Sequence, residues 1–408
     1  MYILLYTLIV FLSLEILSML IVKWARKKFP WLITSEDEYP ELSKEGLDKF
    51  IQSGYDPELG WIRKPNTSNQ EKGKYGPTTY HIDSDGSRSN PANADKPIDI
   101  ACFGDSFTFC RQVNDNETWE YYLSELSNRG VSNYGVGNYG IDQAYLRLER
   151  EIKVKKINPK IVLMGVVPST IVRILCIWKH YNEFGNTFGF KPRFDIVDGK
   201  LVLIKNYIDK ESKFLNYKNY IPEIREKDFF YKSKFKKEMI RFPYSYHTLK
   251  NSKRNFKIIS TVFLNTFFKQ IGVKSDHLAG NPLEEIMKIN LQLRCKLFSD
   301  KYALDLLHGI IENFKKLSSE YKFVPVFVLL PQKDDVLRVK KKHNFYSNFI
   351  EKTSKSMQII DLTVPLSQLN NLDDLYSDDG VYGGHFSKDG NKLVANYIYN
   401  ILKEKQNI

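Results

Sequence analysis

The chain has 408 residues, 42% apolar, 26% charged and 14% aromatic. That composition excludes disorder and leaves room for one large α/β domain with insertions or two modest domains. Four cysteines show neither paired nor metal-type spacing, so no metal site is expected, and no cofactor. Net charge is +12, with much of the excess in residues 225–257, where it is interleaved with aromatics. Such a stretch suits an anionic membrane surface or an acidic polymer, or is a solvated insertion. No nucleic-acid motif accompanies it, so nucleic acid is not an expected partner.

Residues 2–22 are almost uninterrupted apolar, with Glu15 the one charge. A helix of roughly 20 such residues crosses a hydrocarbon core. No charged segment precedes the run and no small-x-small site stands ahead of Trp24, so a retained single-pass anchor is expected rather than a cleaved signal. Lys23, Arg26, Lys27 and Lys28 follow, and the positive-inside rule then leans the large domain to the cytoplasmic side. Residues 1–30 read as anchor and basic flank, and 31–95 as a linker and small β appendage. Residues 96–404 read as the catalytic domain, with an insertion at 168–283. Within the appendage, Thr78–Ser89 has the pattern of a hairpin turning at Ser-Asp-Gly.

From Ile98 the signals alternate. Ile98–Phe103 is a short apolar run bounded by Pro97 and Gly104, as in a buried parallel strand. Asn116–Leu126 carries Trp119, Tyr122, Leu123 and Leu126 at helical spacing behind an Asn cap. Gln143–Lys155 is a second amphipathic helix, and Lys160–Val167 a second buried strand. Phe190–Ile204 predicts a hairpin at Asp198-Gly199. Ile258–Phe268 is too short to span a bilayer and reads as a helix buried in the protein or lying at an interface. A helix follows over Ala303–Leu317, then an apolar strand, Phe323–Leu330, which Pro325 weakens near its start. Lys340–Ser354 predicts one helix, Gln358–Leu362 a strand, and Leu393–Ile401 lies on the final helix. The alternation predicts a doubly wound, mostly parallel sheet flanked by helices.

Ligands of such sheets sit beyond the carboxyl ends of the strands. Ser106 lies three residues past Phe103, and His385 stands in the loop before the last helix. A Ser hydroxyl becomes nucleophilic when a base takes its proton, and His is the usual base near neutral pH. Ser106 alone would read as a helix cap and His385 as a loop residue; their flanks decide otherwise.

Gly104-Asp105-Ser106-Phe107-Thr108 resembles the first block of the SGNH, or GDSL-type, hydrolases. Asn133–Gln143 is similar to their second block, and Val381–Ala395, with His385-Phe386-Ser387 and Asp389-Gly390-Asn391, to their fifth. The resemblance implies a flavodoxin-like three-layer α/β fold with Ser106 as nucleophile and His385 as base. The amides of Ser106 and of Asn138, which aligns with the family's second-block Gly, would hold the oxyanion. The sequence departs from the family at two further places. The third block, with an Asn in relatives, falls on Gly165-Val166-Val167-Pro168. The Asn138 side chain is taken as the substitute donor, with Ser169, Thr170 and Arg173 as alternatives. Relatives place an Asp three residues before the His, where this chain has Tyr382; Asp379 is taken as the acid over Asp378, a Ser–His dyad being the alternative. Asp105, Gly137, Arg173 and Trp178 are candidates to contact substrate, and His180, Tyr181, Lys191 and Arg193 accompany Trp178 in the insertion. Asp105 is also expected to brace its loop by accepting backbone N–H bonds.

The resemblance implies a membrane-anchored esterase acting on an acyl group, O-acetyl above all, carried by a surface carbohydrate or a lipid. An O-acyltransferase using the same nucleophile and a non-catalytic glycan- or membrane-binding protein are the alternatives.

Overall fold

Buried apolar strands and amphipathic helices build a five-stranded parallel sheet: β1 (Ile98–Gly104), β2 (Gly130–Asn133), β3 (Ile161–Val166), β4 (Val324–Leu329) and β5 (Gln358–Asp361). The computed structural model describes every residue except 1, 273–281, 343 and 378–383. Strand order is β5-β4-β3-β1-β2, which is the flavodoxin-like order 2-1-3-4-5. Ile100 to Phe103 and Ile161 to Met164 are at most 1% exposed, as continuous apolar runs covered on both faces should be. Pro325 opposes Val162 of β3, but pairing with β5 begins only at Val326, so its missing N–H leaves that ladder intact. On one face of the sheet, the helix Trp119–Ser127 packs against the helix Lys388–Glu404. They join a core through Trp119, Leu123, Val394 and Ile398. Ile141–Lys153 packs with Lys301–Tyr321.

Chain contacts divide the protein into two units. The sheet lies in the unit made of 49–175, 191–211 and 291–408; the other comprises 1–48, 176–190 and 212–290. Residues 49–95 fall within the sheet-bearing unit. The expected insertion 168–283 is shared between both units. Its hairpin, Arg193–Val197 with Lys200–Ile204, turns through Asp198 (φ 50°) and Gly199 (φ 73°), the left-handed pair that matches strand twist.

Three local expectations need correction. Gly76–Ile82 pairs along its length with the preceding Thr67–Gly73; the expected turn at Ser-Asp-Gly does form, but its hairpin is short, held by the bridge Ile82–Arg88 and by the N–H groups of Asp83 and Ser89, which donate to the carbonyls of Ser87 (2.9 Å) and His81 (3.0 Å). The helix after β1 starts at Trp119, where the Thr118 hydroxyl accepts the Tyr121 N–H at 3.0 Å; Asn114 and Glu117 cap a separate 3-10 turn. The single helix expected at 340–354 is two, Lys333–Lys341 and Ser347–Ser354. Asn344 Oδ1 accepts the Tyr346 N–H at 3.0 Å, a local turn that competes with helix.

In the smaller unit, the helix Tyr2–Lys28 is long and apolar enough to cross a membrane. Trp178 stacks on Phe190 at 4.9 Å and 7°, and is fully buried.

Gly104 closes β1 where no side chain fits. A Cβ there would stand 1.7 Å from the Gly165 carbonyl oxygen and 2.4 Å from Thr108 Oγ1. Gly104→Ala is expected to destabilise the sheet unit by about 1–3 kcal/mol, as overpacking does, lowering the thermal unfolding midpoint. An unchanged midpoint would mean that β1 and β3 can separate at little cost.

Candidate active site

The strand order reverses between β1 and β3, and that switch point is where ligands bind such sheets. Ser106 leaves the carboxyl end of β1 there. No regular helix follows it: 105–114 is a succession of turns in which Cys110 (φ 56°) and Gln112 (φ 70°) take left-handed backbone. A buried segment of this kind needs partners for its polar backbone. Asp105, fully buried, accepts the N–H of Phe107 at 2.8 Å, the N–H of Val167 at 2.9 Å and Arg173 Nη1 at 2.9 Å. Arg88, 2% exposed, donates to the carbonyls of Phe109 (2.7 Å), Cys110 and Val113 (2.7 Å) and pairs with Asp115 at 2.9 Å. Asn133 donates to the Thr108 carbonyl at 2.7 Å and accepts the Gly135 N–H at 2.9 Å. Gly135 touches the loop so closely that a Cβ would lie 2.3 Å from the Phe109 nitrogen.

His385 meets this loop. Its ring centroid lies 4.8 Å from that of Phe107, the residue next to Ser106. Its Nδ1 is 3.0 Å from Gln112 Oε1, and its backbone N–H donates to the same oxygen at 3.1 Å. A backbone N–H only donates, so the Gln112 atom facing it is the oxygen. Gln112 Nε2 confirms the orientation, donating to the Lys72 carbonyl at 3.3 Å. Nδ1 therefore carries the imidazole hydrogen and Nε2 keeps its lone pair, the tautomer a general base needs. Glu71 holds Gln112 in turn, accepting its N–H at 2.8 Å while its other oxygen pairs with Arg111 at 2.8 Å. No hydrogen bond joins Ser106 Oγ to His385 among the described residues; catalytic bonds often tighten only with substrate present.

The oxyanion candidates divide. Among the described residues, the N–H groups of Ser106, Gly137 and Asn138 have no hydrogen-bond partner. Asn138 is exposed, with left-handed backbone at φ 67°, and Gly137 is half-exposed with space where a Cβ would be. Of the substitutes for the third-block Asn, Thr170 is committed to the Ile141 N–H at 2.8 Å. Arg173 is committed to Asp105 and to the Tyr139 carbonyl, both at 2.9 Å. Ser169 Oγ is buried and unpartnered among the described residues.

Several candidates serve the fold rather than a ligand. Asp105 is a buried brace and offers nothing to substrate. Trp178 is walled into the smaller unit's aromatic core, where its Nε1 donates to the Thr187 carbonyl at 3.0 Å. His180 is buried on the Asp37 carbonyl, and Tyr181 is buried in the same core. Lys191 is buried against Asp142 and Arg193 against the Leu175 carbonyl. Asp379 and Asp378 lie outside the described residues. Gln112 and Arg88 were missed, because nothing in a lone Gln or in Ser-Arg-Ser signals their partners. Burial and the nearby Glu120 push the Cys110 thiol well up, so it is no nucleophile.

No protein-family model and no curated protein matches this sequence. A solved structure of a G-D-S-L family protein from Desulfitobacterium hafniense DCB-2 is similar over 74% of this chain and 98% of its own. The two share 13% identity with a TM-score of 0.31.

Burial, reinforced by the Arg111 and Arg173 cations, pushes the His385 imidazole down to about 3, although the residue keeps partial exposure. A free imidazole titrates at about 6.5. Between those values the unfolded chain binds a proton that the native state does not, so this residue costs stability as pH falls through that window. The expected result is a His385 ring resonance that does not titrate from about pH 5 to 8, with Arg111→Gln moving its midpoint upward. An ordinary midpoint in the wild type would contradict this environment.

Proposed function

We propose that the chain is a membrane-anchored serine esterase that hydrolyses an acyl ester, O-acetyl on a surface carbohydrate or an ester of lipid. The observation that carries the reading is the Gln112 contact, which leaves His385 Nε2 free to take a proton beside the loop that presents Ser106. Ser106 Oγ attacks the acyl carbonyl and its proton passes to Nε2. The Ser106 and Asn138 amides receive the oxyanion, with the Ser169 hydroxyl as third donor in place of the family's Asn. The imidazolium returns the proton to the departing alcohol, and water then releases the acid from Ser106 by the same steps.

Gln112 takes the orienting half of the task that a carboxylate performs in a Ser-His-Asp triad. It supplies no negative charge. An imidazolium flanked by Arg111 and Arg173 is therefore poorly stabilised, and slow turnover follows unless substrate or Asp379 adds an anion. The helix Tyr2–Lys28 supports the anchor. Arg26 is drawn into a bidentate pair with Asp37, so three of the four flanking cations remain to bias orientation.

Wild type is expected to react covalently with a fluorophosphonate, and Ser106→Ala not at all; a folded wild type that fails to react would favour a binding protein. Free acid released from an O-acetylated glycan supports hydrolysis, whereas label on an added acceptor glycan supports transfer. Gln112→Ala is expected to lower kcat/KM by about 10²-fold with KM little changed, the scale of a misplaced general base. Gln112→Glu restores the contact with a charge, so it keeps activity and moves the acidic limb of the pH profile upward. Equal rates in all three proteins would remove Gln112 from the mechanism.

A further inference from the structure

Glu15 sits seven residues before Val22 in the apolar helix, about 10 Å along its axis at 1.5 Å per residue. A carboxylate at such depth is costly unless partnered. Its partners are the N–H groups of Tyr244 (2.6 Å) and Ser245 (2.9 Å) and the Ser245 hydroxyl, at the start of the helix Tyr244–Lys250. Glu15 is only 5% exposed, so whatever depth it occupies, Tyr244 shares.

The next helix, Ser252–Gln270, continues the packing. Ile258 and Val262 bury against Val22 and Ala25, and Phe263 meets the Trp24 ring at 6.1 Å. Its other side stays bare. Phe256, Phe263, Leu264, Phe267 and Ile271 are 38–57% exposed and, at 100° per residue, fall within an arc of about 100°. Tyr246 and Leu249 of the shorter helix are exposed too. The N-terminal helix is likewise bare, with only Glu15, Val22 and Ala25 buried along 27 residues. Exposed cations border these faces: Lys23, Lys27 and Lys28 on one side of the bundle's sequence, Arg241, Lys250 and Lys253 on the other. An apolar face edged by cations matches the acyl and headgroup layers of an anionic bilayer.

We propose that the helices Tyr244–Lys250 and Ser252–Gln270 lie in the interface of an anionic membrane beside the N-terminal helix, so that the smaller unit is held by three helices. The single-pass helix then supplies attachment, and the Glu15 cap locks the pair to it, fixing the unit's depth and rotation.

The test uses the full chain with Cys295→Ser, since the other native cysteines are buried. Phe256→Cys and Phe267→Cys are each labelled with NBD and reconstituted in phosphatidylcholine–phosphatidylglycerol vesicles, with exposed Tyr75→Cys as control. The expected result is blue-shifted emission at both positions, mostly lost when the lipids carry a nitroxide on the acyl chain, and no such loss at 75. Quenching by aqueous iodide alone would overturn the proposal. So would protection from both quenchers, which would mark the face as covered by a second copy of the chain.

Discussion

Three backbone carbonyls after Ser106 point at one buried guanidinium, and the shape of the candidate site depends on it. Phe109, Cys110 and Val113 belong to no helix or strand, so their oxygens have no ladder partners, and Arg88 donates to all three. Leaving one such group unsatisfied costs about 1–3 kcal/mol. Asp115, pairing with Arg88, keeps the buried cation compensated.

The same economy of partners governs the electrostatics. Asp105 binds Val167 and Arg173, tying the Ser106 loop to the segment after β3 across the sheet's switch point. Arg173 is thereby anchored close enough to disfavour a charged imidazole, as Arg111 also does. A neutral amide orients the ring without countering those cations. The site is thus built to hold His385 neutral and correctly protonated, and it leaves the stabilisation of positive charge to whatever else enters. Glu71 belongs to the antiparallel pair preceding β1, so residues that look like a decoration of the domain hold part of the candidate site.

The smaller unit shows a comparable rule. Glu15 reads in sequence as a flaw in an apolar helix, yet in the fold it caps the start of a second helix. Trp178 and His180 read in sequence as candidates either for ligand contact or for packing, and are core. Type alone does not tell a packed ring from an exposed one, because the burial of either depends on elements distant in the chain.

Sequence by itself determined four of the five strands of the parallel sheet, because short apolar runs have few alternatives to a buried parallel strand, whereas Gly130–Asn133, with Val131 its one apolar side chain, carries no such run and was missed. It also singled out Ser106 and His385 as candidates, through their flanking residues, and the apolar helix at 2–22. Tertiary structure alone decided which group faces Nδ1 of His385, which residue partners the carbonyls of the Ser106 loop, and what Glu15 bonds to. Each of those is a hydrogen bond between residues from 21 to 273 positions apart, and its directionality is invisible to periodicity, which reports only which face of an element turns inward.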